Sequence, residues 1–94
     1  MRFSWDASKN EILRANSKRG GIGFESVLQV FGGQHYVAIR NDDPEQFFAI
    51  GWVGLKLYTV IFEIREDETS DYYHLITFWK STTFERKLYA ENSK

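Results

Sequence analysis

A chain of 94 residues with 43% hydrophobic and 17% aromatic content carries enough apolar bulk for one self-supporting core and shows no linker-like stretch, so one ordered domain is expected. It contains no cysteine, which excludes disulfide frameworks and thiolate metal centres. No apolar run approaches the roughly 20 residues of a membrane span, and the start Met1-Arg2-Phe3-Ser4-Trp5-Asp6 lacks the apolar stretch of a secretion signal, so a soluble cytoplasmic protein is expected. The net charge of −1 is unevenly spread: residues 1–24 hold five Lys/Arg against two acids, residues 75–94 hold four against two, and the middle holds three against nine. If the two ends meet in the fold, they form a positive patch on a near-neutral molecule; otherwise these charges are solvated surface.

In chain order, Phe3 and Trp5 alternate with polar residues and predict a short strand over 2–5. Asp6 is a helix N-cap for a thinly apolar helix over 7–16, ended by Lys18-Arg19-Gly20-Gly21. A second helix follows from Phe24, Val27, Leu28 and Phe31, at i, i+3, i+4 and i+7, and Gly32-Gly33 stops it. The period then changes to that of strands: His35–Arg40, Gln46–Trp52, Leu55–Arg65 and Asp71–Trp79, separated by turns at 41–44, 51–54 and 66–70. Thr82 and Glu85 have capping-box spacing and open a C-terminal helix expected to bury Phe84 and Leu88.

The predicted fold is α+β: an antiparallel sheet of about four strands with two N-terminal helices and one C-terminal helix, in a single domain over 1–94. The sheet is apolar on both sides. Leu55, Leu57 and Ile61 oppose Tyr58, Val60, Phe62 and Ile64; Tyr72, Ile76 and Phe78 oppose Tyr73, Leu75 and Trp79. Such strands need cover on both faces, either from helices divided between them or from a partner protein.

Four segments carry a family likeness: Arg2-Phe3-Ser4-Trp5-Asp6-x-x-Lys9; Gly21-Ile22-Gly23-Phe24-Glu25-x-Val27-x-x-Val30-Phe31; Glu45-Gln46-Phe47-Phe48-Ala49-Ile50-Gly51; and His74-Leu75-Ile76-Thr77-Phe78-Trp79-Lys80-Ser81-Thr82-x-x-Glu85-Arg86-x-x-Tyr89. In this order the chain resembles the BrnT family of type II toxin–antitoxin toxins. That resemblance implies a RelE-like fold, metal-independent cleavage of mRNA without a cofactor, and a hetero-oligomer with a DNA-binding antitoxin. The chain departs from the family pattern at three places. The family's Lys-His aligns with Arg19-Gly20 or Lys18-Arg19, and two family arginines are replaced by Phe47 and Trp79.

Cleavage at a 2′-hydroxyl needs a base and cations around the phosphorane. The candidates are Lys18 and Arg19 as phosphate-gripping groups, with Lys18 also a candidate base, His74 as acid or base, and Lys80 in place of the missing arginine. Arg14, Arg86 and Lys87 are candidate RNA-binding residues. The plainer readings are loop charges for Lys18 and Arg19, a partly buried sheet histidine for His74 and packing for Tyr89. The alternative function is a catalytically degenerate module that binds an antitoxin or RNA without cleavage. Gly20-Gly21-Ile22-Gly23 lacks the strand and downstream acid of a dinucleotide site, and Asp42-Asp43 with Glu45 reads as a turn rather than a metal site.

Overall fold

The computed structural model describes residues 1–92. β1 (Arg2–Trp5) leads into α1 (Ala7–Arg14), a 3₁₀ turn at Ser17–Arg19, α2 (Phe24–Val27) and α3 (Gln29–Gly32). The strands β2 (His35–Asp42), β3 (Glu45–Val53), β4 (Lys56–Glu66) and β5 (Asp71–Lys80) follow, and α4 (Thr83–Asn92) closes the described chain. The α+β class agrees with the sequence, but the sheet has five strands, in the order β1-β5-β4-β3-β2, and is mixed rather than antiparallel. β1 is the addition. It pairs in parallel with β5, Arg2 opposite Tyr72 and Trp5 opposite Leu75. Its alternation puts Phe3 5.1 Å from Phe31 and stacks Trp5 5.8 Å from Phe24, so two aromatic rings tie the strand to the core.

One face of the sheet carries α1, α2 and α3. Leu13, Phe24, Val27 and Val30 pack there on Ala49, Tyr58, Val60, Phe62, Leu75 and Phe78. The predicted second helix is two short segments, broken at Leu28, where the Phe31 N–H bonds the Leu28 carbonyl at 3.0 Å. That i→i+3 bond tightens the winding. Phe24, Val27 and Val30, three residues apart, therefore make the fully buried stripe, while Leu28 and Phe31 are only partly covered. α1 is held to α2 by buried Asn10, whose Oδ1 accepts the Phe24 N–H at 2.7 Å and whose Nδ2 donates to Glu25 Oε1 at 2.9 Å.

Two bulges change which residues share a face. The β4–β5 register passes from Ile61–Thr77 to Phe62–Leu75, leaving Ile76 unopposed. Phe78 consequently joins Leu75 in the core instead of lying opposite to it, as strict alternation predicts. Arg40 is passed over in the same way between β2 and β3. Leu55 belongs to the turn before β4 and is 96% exposed.

Among the described residues the second face is covered by α4 alone. Its capping box forms as predicted: the Thr82 N–H bonds Glu85 Oε1 at 2.8 Å and the Glu85 N–H bonds Thr82 Oγ1 at 3.2 Å. The predicted buried pair is not what the helix buries. Phe84 is 68% exposed and Leu88 half-buried, whereas Tyr89 is buried against Trp52, its hydroxyl donating to the Gln34 carbonyl at 3.3 Å. The helices thus divide between the two faces, and α4 leaves an apolar groove between Phe48, Ile61, Trp79, Phe84 and Leu88.

Candidate nucleic-acid interface

The two basic ends of the chain do meet, because β1 lies beside β5. Two of the five N-terminal cations are already paired with acids. The Arg2 guanidinium clamps Asp67 at 2.8 and 3.0 Å and also donates to Ser70 in the β4–β5 turn. Asp67 is held far below the usual carboxylate range by that bond first, then by the Thr69 and Ser70 N–H groups. Arg14 bonds Glu25 at 2.6 Å on the outer side of the helical layer. There the Asn10 side chain, the backbone and Arg14 draw the Glu25 pKa down to about 2. Arg14 is therefore paired and does not join the other cations.

Arg19 is placed by the loop after α1. Asn16 caps the 3₁₀ turn by accepting the Lys18 N–H at 3.0 Å, and Gly20 turns the chain at φ +91°. β1 reaches only as far as Leu75, so the outer edge of β5 beyond it is open. The Arg19 guanidinium occupies that edge, donating to the Phe78 carbonyl and, at 3.2 Å, to Thr77 Oγ1. Tyr58 Oη donates to the Arg19 carbonyl at 3.2 Å, pinning the same residue from β4. Burial pushes the Tyr58 phenol up, so it remains a donor. Lys80 runs alongside: a methyl group at Gly20 would sit 3.6 Å from Lys80 Cε. Lys18, on the adjoining turn, is exposed. The structure thus brings the Arg19–Gly20 turn up to Lys80, with Arg19 committed to holding the sheet edge.

His74 stands apart. Lys80 lies six positions further along β5, about 20 Å of strand. It sits opposite Glu63, with Nδ1 2.8 Å from Ser4 Oγ across the β1–β5 pair. Burial, and then Arg65, push its pKa down, outweighing Glu63 and Asp6. The imidazole ties β1 to β5 in surroundings that favour its neutral form.

What does converge lies at the open end of β5. Lys56 from β4, Lys80 from β5 and Arg86 from α4 line a groove of about 370 Å³ with Trp52, Leu55, Leu57 and Ser81. Trp52 is half-exposed. No acid is among those lining residues; the adjacent Glu85 is turned under α4, accepting from Trp79 Nε1 at 2.9 Å, Thr59 Oγ1 at 3.0 Å and the Thr82 N–H. Lys87 is exposed on α4 but does not line this groove. Lys56 and Trp52 are the groove residues that sequence reasoning missed. The available signal was the meander itself, which returns the start of β4 to the end of β5 and opposes Tyr58 to Lys80. Chemically the groove offers three phosphate-binding cations and one flat aromatic surface. Among the described residues no His, Cys, Asp and Glu side chains converge as a metal-binding group.

No protein-family model matches this chain, and no curated protein matches it in sequence. Among the described residues no helix is long and apolar enough to cross a membrane.

Proposed function

We propose that this chain is a toxin-type module of the RelE-like class, a cytoplasmic partner of a DNA-binding antitoxin, and that it acts by gripping RNA in the groove of Lys56, Lys80 and Arg86. The observation that carries this reading is the convergence of three cations from three elements around a half-exposed tryptophan, with no carboxylate among the lining residues. Cations neutralise successive phosphates while Trp52 stacks on an unpaired base, which is how single strands are held with little sequence preference. The antitoxin partnership and hetero-oligomer come with the motif resemblance.

Binding without cleavage is the form the geometry favours, since His74 lies far from the cations and Arg19 is bonded to the sheet. Metal-independent cleavage is the second reading, supported by the approach of the turn that follows exposed Lys18 to Lys80. One experiment separates them. A fluorescent single-stranded RNA titrated with the chain should bind with a log–log salt slope of about −2, as three phosphate contacts on a single strand give. Lys80→Ala should flatten that slope by about 0.7. Gel analysis of the same RNA, with chelator present, should show it intact. Cleavage that Lys80→Ala removes would establish the second reading. Absence of binding by the unmodified chain at low salt would sink both.

A further inference from the structure

The two edges of the sheet are finished differently. At the β1 edge the strand is four residues long, and beyond it Arg19 covers the Phe78 carbonyl. The other edge is β2, eight residues long and bonded only to β3. Among the described residues nothing pairs with the backbone groups on its outer side. Natural sheets blunt such edges with proline, lysine or a covering segment. His35–Ile39 carries none of these, and the bulge comes only at Arg40. Val37 and Ile39 are 42% and 56% exposed: they lie on the α1–α3 face, opposite Ala49 and Phe47, but further along β2 than His35, the residue whose ring meets Phe31 of α3.

We infer that β2 is the seam of a homodimer, in which the strands of two copies pair antiparallel about a two-fold axis at Ala38. The run Tyr36-Val37-Ala38-Ile39-Arg40 is chemically self-complementary about its centre. Under two-fold symmetry residue i meets j and j meets i. With Ala38 opposite its own copy, Val37 meets Ile39 twice, so the exposed aliphatics all pair with each other, and Tyr36 meets the stem of Arg40. Centring on Val37 would set Ile39 against His35, and centring on Ile39 would set Val37 against Asn41. Charge decides the direction. The acids Asp42, Asp43 and Glu45 cluster at the C-terminal end of the β2 edge, and antiparallel pairing lays them beside the partner's His35 end instead of beside its acids. The product is a continuous ten-stranded sheet with both α1–α3 layers on one side.

Because the seam is a single strand pair, self-association is reversible, so its mass depends on concentration. Sedimentation of the full chain should move from one chain mass toward two as concentration rises. The chain has no cysteine, so Ala38→Cys supplies a unique thiol. Opposed residues in an antiparallel pair have Cα atoms about 4.5–5.5 Å apart, within disulfide reach. Mild oxidation should give a covalent dimer of Ala38→Cys in high yield. Val37→Cys mixed with Ile39→Cys should cross-link to each other, and each alone much less. Val37→Lys with Ile39→Lys changes only exposed positions; circular dichroism should stay unchanged and self-association weaken by roughly tenfold or more, since the seam would bury unpaired ammonium groups. A chain monomeric at every concentration overturns the inference. So does a dimer in which Ala38→Cys fails to cross-link, because its seam would then lie elsewhere.

Discussion

Single residues in this chain divide by whether their charge or hydrogen bond is already used. The family-like motifs marked Arg19 and His74 for chemistry, and both are held by neighbours far away in sequence: the Phe78 carbonyl for one, Ser4 for the other. Side-chain type was legible; engagement was not, because it depends on which strand arrives alongside. Lys80 came through as an accessible cation, and Lys56 went unnoticed because its neighbours are set by strand pairing. Gly20 tests how tightly the Arg19 loop is seated. A methyl group there would lie 2.2 Å from Tyr58 Oη, and the backbone stands at φ +91°. Gly21, at φ +66°, has nothing within 4 Å of such a methyl. Gly21→Ala should cost about 1–2 kcal/mol from the left-handed backbone alone. Gly20→Ala should cost a further 1 kcal/mol or so as the Tyr58 hydrogen bond is displaced. Urea denaturation of both variants reads the difference, and equal midpoints would show that the close approach does not matter.

At the scale of elements, signals that act within a few residues were legible and signals that act across the sheet were not. The Asp6 cap, with Lys9 N–H 2.8 Å from its carboxylate, and the Thr82–Glu85 box are local, and both formed where the sequence placed them. The four long strands also appeared close to their expected bounds. The bulge at Ile76 left no local mark, and one extra residue reversed the side of everything after it. The face of α4 was misjudged for a related reason: apolar spacing picks out Phe84 and Leu88, but the residue that meets Trp52 and the Gln34 carbonyl, both distant in sequence, is Tyr89. These reversals predict a measurable asymmetry. Phe78→Ala, at a fully buried ring, should cost about 3–5 kcal/mol. Phe84→Ala, at an exposed one, should stay within about 0.5 kcal/mol. Thermal or urea unfolding decides it, and comparable losses from the two would mean that Phe84 is covered in solution.

For the whole molecule, the apolar character of both sheet faces is resolved by helices on each side, with what remains gathered in the α4 groove and along β2. The class of fold was legible from periodicity, whereas the place of β1 was not, since a parallel pairing of Arg2 with Tyr72 has no counterpart in nearby sequence. That pairing has a consequence in time. Residues 2–5 are synthesised long before residues 72–75, at roughly 5–20 residues per second, so the strand waits several seconds for the strand it pairs with. Closing so long a loop is entropically costly until the β4–β5 hairpin exists to receive it. Folding should therefore begin in the meander and finish at β1. Phe3→Ala is expected to speed unfolding while barely slowing refolding, and Val60→Ala to slow refolding. Stopped-flow measurements showing the opposite pattern would place β1 in the nucleus. Until β1 docks, the β5 edge stands open beside it, and the growing chain passes through an interval in which both borders of its sheet can recruit a stranger.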